Sequence, residues 1–189
     1  MDQDKTGGPK APTPAGATAE REPDSDRIAD SLHHLHFRSI RRDDWHRLQE
    51  FHKRLSGLTV ELRFHGAKRE LSTPLAHDFA DVDGHDRVAI LATTGTRGRI
   101  VGVARYNRIA PALAEVAFVV EDAYQGHGIG RRLMERLKAA ALENGITQFV
   151  AEILPGNVPM FGLLKSVGPV RSHFEGGECE VYVDLVAPS

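Results

Sequence analysis

The chain has 189 residues, 24 Lys and Arg against 26 Asp and Glu, and 41 % hydrophobic side chains, which is one domain of ordinary water-soluble composition with some chain to spare. A net charge of −2 lacks the basic surplus of a nucleic-acid binder, and a single cysteine, Cys179, excludes an internal disulfide and a cysteine-rich zinc site. No apolar run approaches the ~20 residues of a membrane span, and Met1-Asp2-Gln3-Asp4 opens no secretory signal, so the expected location is cytoplasmic, with neither nucleic acid nor membrane as partner.

Residues 1–30 hold Pro9, Pro12, Pro14 and Pro23, many charges, and Ile28 as the one large aliphatic side chain. They read as a disordered tail preceding a domain over 31–189, because so little apolar surface does not offset the entropy of ordering. Leu35 to Ile40 alternates as a first strand. Asp43-Asp44 opens a helix through Leu55 that Ser56-Gly57 stops; Leu58 to Phe64 is a second, and Ser72 with Pro74 starts a third ending near Ala80. Asp86 to Thr93 and Arg99 to Ile109 are strands joined by a hairpin loop, and Ala114 to Val120 is a more buried one. A long helix from about Gly128 to Asn144 carries an apolar stripe of Ile129, Leu133, Leu137, Ala140 and Ala141. Ile146 to Ile153 is a strand and Val158 to Val167 a helix; Val170 to Glu175 and Glu178 to Leu185 form a last hairpin. The order describes a mixed α/β layer.

The segment with most chemical content is Gln125-Gly126-His127-Gly128-Ile129-Gly130, between a strand and a long helix. Glycines let the backbone approach a ligand, and the first amides of the helix have no partner within it, so the turn suits phosphate oxygens, with Arg131 and Arg132 adding charge. A tight turn that merely packs helix on strand reads equally well from the pattern. A dinucleotide turn would need glycine where Arg131 stands, and no Gly-Lys-Ser/Thr triplet exists for a Walker loop.

The frame that remains, Gln-x-x-Gly-x-Gly at Gln125, Gly128 and Gly130 after the strand Ala114-Glu115-Val116-Ala117-Phe118, resembles the pyrophosphate turn of the GNAT acetyltransferase superfamily. Asn157, Met160, Phe161 and Gly168 stand in the frame of that family's next helix, and the likeness extends over about residues 35–185. Within the superfamily the chain is most similar to bacterial Pat-like protein lysine acetyltransferases, through Arg38 to Asp44, Arg54-Leu55-Ser56, Leu62-Arg63-Phe64 and Asp86-Arg87-Val88-Ala89. Some of that group carry a ligand-sensing domain, for which 189 residues leave no room. The resemblance implies a mostly antiparallel central sheet flanked by helices and acetyl-CoA as acyl donor. It also implies a protein lysine as acceptor, with acyl-CoA synthetases the first to test. Val119 and Val120 would bond the pantetheine arm, and Gln125 to Arg131, His127 included, together with Asn157, would border the cofactor.

From the residues alone, Glu115 reads as a solvated charge on an exposed strand face; the resemblance makes it the general base that takes a proton from the attacking amine, with burial raising its pKa toward a useful range. A strand amide, that of Phe118 or a neighbour, would face the carbonyl oxygen of the donor. Leu164 stands where many GNAT enzymes have a tyrosine general acid, and Tyr124 reads as a surface residue, so no general acid is assigned. His33, His34 and His36 do not converge on a metal site, because alternation turns His33 away from the other two. Cys179 reads as a core thiol. Two other functions stay open: acetylation of a small amine such as an aminoglycoside or polyamine, and a non-catalytic acyl-CoA-binding module.

Overall fold

The computed structural model describes residues 23–64, 70–95, 98–154, 156–175 and 178–185. Seven strands form one sheet: β1 His36–Ser39, β2 Arg87–Thr94, β3 Arg99–Ala110, β4 Leu113–Val120, β5 Gln148–Ile153, β6 Val170–Glu175 and β7 Glu178–Asp184, in the order β1-β2-β3-β4-β5-β7-β6. Every neighbouring pair is antiparallel except β4 with β5. The mixed, mostly antiparallel sheet expected from the sequence is what the chain forms.

Period-two alternation sends the side chains of each strand to two separate cores. On one face Ile90, Ala104, Val116 and Phe149 pack with Ile129, Leu133, Met134 and Leu137 of α5 (Ile129–Glu143), and Leu164 of α6 (Val158–Lys165) joins them. On the other, Ala89, Leu91 and Ile100 meet Leu48 and Phe51 of α2 (Trp45–Lys53) and Ala76 and Ala80 of α4 (Thr73–Ala80), while α3 (Gly57–Phe64) lies over β4.

Two local readings change. Gly57 is the first residue of α3 rather than part of a stop, the break being Arg54 to Ser56. A helix, α1 (Pro23–His33), occupies the end of the segment read as tail through residue 30; Ile28 and Leu32 pack against the α5-side core, a tertiary contact that composition does not register. Residues 1–22 lie outside the description. His33 therefore ends a helix while His36 begins β1, so their divergence does not arise from one strand's alternation. Among the described residues no group of three His, Cys, Asp or Glu is placed to hold a metal ion, and no helix is long and apolar enough to cross a membrane.

The start of α2 is fixed by a buried carboxylate. Asp44 accepts from both terminal nitrogens of Arg38 on β1, at 2.6 and 2.8 Å, from the Arg41 amide at 2.9 Å and from Arg47 at 3.1 Å. Burial alone would push its pKa up; the guanidinium of Arg38, the Arg41 amide and Arg47 outweigh that and hold the carboxyl at about 2. A carboxyl depressed on folding stabilises above its unfolded pKa and stops doing so as the pH falls through the folded value. The fold is expected to lose about 2 kcal/mol between roughly pH 4 and pH 2 through this residue. Urea midpoints at pH 5 and pH 2.5 read that slope, and Asp44→Asn should flatten it while lowering stability at neutral pH.

Candidate active site

β4 is shared unequally between its neighbours. It pairs with β3 from Leu113 to Val120 but with β5 only through Leu113, Ala114 and Glu115, opposite Gln148, Phe149 and Val150. Beyond Glu115 the two strands part, so residues 116–120 have no strand partner on that side among the described residues. Alternation settles which backbone groups face the gap. The Glu121 amide donates to the Val101 carbonyl at 2.9 Å, so with the register Val103↔Val119 the polar groups of Val119 face β3, whereas those of Phe118 and Val120 point away from it. The expectation that Val119 turns its backbone to the gap does not hold; the backbone groups that face the gap are those of Phe118 and Val120.

The gap opens into a cleft of about 1010 Å³, lined by Leu58, Thr59, Leu62 and Arg63 from α3, by β4 from Glu115 to Val120, by Gln125, Gly126 and Gly128 to Gly130, and by Glu152, Asn157 and Met160 across it. Gly126 and Gly128 both have φ of 76°, a conformation costly for any residue with a Cβ, and a Cβ on either would point into open space. The helical ladder begins with Arg132 N donating to the Gly128 carbonyl at 3.1 Å, which leaves the amides of Ile129, Gly130 and Arg131 ahead of it. These amides and the positive end of α5 make a receptor for anionic oxygen.

Gln125 is held rather than offered. Its Nε2 donates to the Val120 carbonyl at 3.0 Å and to Thr59 Oγ1 at 3.3 Å, which closes the turn onto α3. Thr59 Oγ1 donates on to Asp122 Oδ1 at 2.8 Å, and Asp122 also accepts from the Ser56 amide at 2.9 Å and hydroxyl at 2.6 Å. Burial raises the Asp122 pKa less than these donors lower it, and the carboxyl stays below its ordinary range. Next to it, buried Glu121 pairs with Arg54 at 3.1 Å and with Arg99. The start of α3, the end of β4 and the glycine turn therefore form one rigid corner, which the sequence did not announce because its partners lie more than sixty residues apart.

The remaining predicted residues fall on both sides of the cleft wall. Ile129 is 1 % exposed and belongs to the core, so only its backbone faces the cleft. Asn157 caps α6, its Oδ1 accepting from the Met160 amide at 3.2 Å. His127 and Arg131 do not line the cleft; His127 bonds the Gln125 carbonyl at 2.7 Å and Arg131 pairs with Glu135 along the helix at 3.2 Å. Glu115 is an exposed side chain on the cleft rather than a buried one, which overturns the expectation that burial prepares it. Tyr124, expected at the surface, is 4 % exposed and lines the cleft beside Arg99, whose guanidinium sits 5.8 Å from the ring centre. Cys179 is buried on β7.

A strand-edge gap, a glycine turn capping a helix and a carboxylate on the shared cleft define an acyl-transfer architecture, and a family model described as Acetyltransferase (GNAT) family matches residues 42–168. The chain belongs to that family. It is 33 % identical over 132 residues to the acetyltransferase Pat of Mycolicibacterium smegmatis, a match that spans 69 % of this chain but 39 % of that protein. The crystal structure of the GNAT domain of S. lividans PAT superposes with a TM-score of 0.75 at 35 % identity, covering 80 % of this chain and 90 % of that one. YncA from Salmonella typhimurium, solved with its cofactor acetyl-CoA, shares the fold at a TM-score of 0.61 and 18 % identity, over 82 % of this chain and 96 % of that one.

Proposed function

We propose that the chain transfers the acetyl group of acetyl-CoA to the side-chain amine of a protein lysine, with Glu115 as general base. The observation that carries this reading is the common cleft: the free edge of β4, the glycine turn and Glu115 all border one volume. The residues fit the donor. The carbonyl of Phe118 and the amide of Val120 face the gap, open to a chain with peptide-like groups laid along it as a β-strand would be. The amides at the start of α5 receive pyrophosphate oxygens where no Cβ intrudes. Bound there, acetyl-CoA supplies a thioester carbonyl.

A lysine with a pKa of ~10.4 enters as an ammonium, which has no lone pair. Glu115 takes one of its protons, directly or through one water, and frees the lone pair; the nitrogen attacks the carbonyl carbon and sheds its second proton to water as the carbon–sulfur bond breaks. The Phe118 amide donates to the carbonyl oxygen as charge grows on it, already oriented by the β3–β4 ladder. The thiolate takes its proton from water, since buried Leu164 offers none. The protein-lysine acceptor is supported by the likeness to the two Pat proteins.

Calorimetric titration tests the donor first. Acetyl-CoA should bind saturably while NAD gives no heat, and Gly128→Ala should weaken acetyl-CoA about tenfold, a strained φ and a Cβ in the anion path together being worth 1–2 kcal/mol. No heat with acetyl-CoA, or equal heat from NAD, discards the reading.

A further inference from the structure

On the acetyl-transfer reading, the two substrates meet the gap from opposite faces of the sheet. Val116, Phe118 and Val120 turn toward the α5 core, whereas Val119 packs with the α2 and α4 core, and alternation puts Glu115 and Ala117 on its face. The glycine turn leads into α5, so the anionic end of the donor lies on the α5 side. The amine has to reach Glu115 on the other side, where Leu58, Thr59, Leu62 and Arg63 of α3 line the cleft. α3 is the acceptor's wall.

Packing alone holds that wall loosely. Val60 is buried, but Leu58 and Glu61 are exposed, and Thr59, Leu62 and Arg63 are half-buried. Hydrogen bonds add what burial lacks. Ser56 donates to the Asp122 carboxylate through its amide at 2.9 Å and its hydroxyl at 2.6 Å, and caps α3 by accepting from the Thr59 amide at 3.2 Å. Thr59 Oγ1 donates to Asp122 at 2.8 Å and accepts from Gln125 Nε2 at 3.3 Å. Every hydrogen bond from these two residues to another element thus ends on Asp122 or Gln125.

Asp122 and Gln125 belong to one short link, the 3₁₀ turn Asp122–Tyr124 and the residue after it, which joins β4 to the glycine turn. Both ends of the link border the donor's side of the cleft. At one end is Val120, whose carbonyl Gln125 holds at 3.0 Å; at the other are Gly126 and Gly128. A ligand that braces both ends restrains the link, and the link restrains α3.

We propose that Asp122 and Thr59 are positioning residues that make the place of α3 depend on the donor: acetyl-CoA braces the link, and Asp122 and Gln125 pass that restraint through Thr59 to the wall on which the acceptor is seated. The coupling rests on the acetyl-transfer reading and extends it to side chains that take no part in the chemistry. Such coupling is reciprocal, so an acceptor seated on α3 tightens the hold on acetyl-CoA by the same factor.

Amide hydrogen exchange on the full chain, with and without saturating acetyl-CoA, reads the coupling. In the parent, acetyl-CoA should slow exchange at residues 128–132 of the turn and also at residues 57–64 of α3, there about tenfold, the scale of one or two hydrogen bonds. Thr59→Val keeps the shape and removes the hydroxyl between Asp122 and Gln125. With its turn still protected, this variant should lose the ligand-dependent protection of α3, and Thr59→Ser, which keeps the hydroxyl, should restore it. Asp122→Asn should speed exchange in α3 even without ligand, while unchanged exchange in β2 and β3 shows that each variant is folded. Equal ligand-dependent protection of α3 in Thr59→Val and the parent overturns the proposal, as does a parent whose turn is protected and whose α3 is not. Protection of neither segment removes the donor reading itself, which tells the two failures apart.

Discussion

With Glu115 as the proposed base, Glu115→Gln should cut turnover steeply and leave acetyl-CoA binding in place. The substitution keeps the size and polarity of the side chain but removes the acceptor for a proton, and a positioned general base contributes about 10²- to 10⁴-fold. The fall in kcat should lie in that range. The fold should be indifferent, because Glu115 is exposed and holds no ion pair among the described residues. Its carboxylate must be ionised to act, so the acidic limb of the pH–rate profile should disappear in the variant. Release of the CoA thiol at several pH values, beside calorimetric acetyl-CoA affinity, separates this from a binding defect. Turnover within about threefold of the parent would show that water alone takes the proton and that Glu115 is a bystander. Binding without turnover in the parent itself would leave an acyl-CoA-binding module.

Gly168→Ala should be the most damaging single-atom change outside the site. The added Cβ would land on the backbone carbonyl of Asp184, where the turn after α6 crosses the end of β7. That oxygen is backbone, and the Asp184 amide is itself held by the Pro169 carbonyl at 3.1 Å, so neither side yields without breaking the β6–β7 hairpin. A forced shift of this kind costs about 3 kcal/mol. Gly162→Ala, in α6 with nothing within 4 Å of its new Cβ, should instead raise stability by about 0.5–1 kcal/mol. Urea midpoints of the pair give the contrast; equal midpoints would mean that the turn relaxes freely. The Asn157–Gly168 frame of the sequence is thereby explained at both ends by structure, a helix cap and a steric crossing.

What could be read from the chain was local. Strand alternation and the α5 stripe located the sheet and its main helix, and the Gln125–Gly130 turn with Glu115 pointed at the cleft, because each depends on residues within one or two elements. What escaped depends on partners distant in sequence. Nothing near Pro23–His33 signals that Ile28 and Leu32 will find a core. Tyr124 sits among Asp122, Gln125 and Gly126, polar company that suggests the surface until tertiary contact buries it. Arg63 and Arg105 are ordinary charges in sequence, and only the folding of α3 over β4 brings them to one cavity. Arg131 looked like part of the anion site by position, yet helical geometry hands it to Glu135.

The parting of β4 and β5 bears on how long the protein lasts. A sheet whose halves are joined by three parallel pairs carries an open seam of backbone without a strand partner among the described residues, the sort of edge that invites another strand. A ligand with peptide-like groups laid in that seam acts as a temporary strand, and by mass action it stabilises the native state in proportion to the logarithm of its concentration. Resistance to unfolding and to proteolysis should then rise with the concentration of acyl donor.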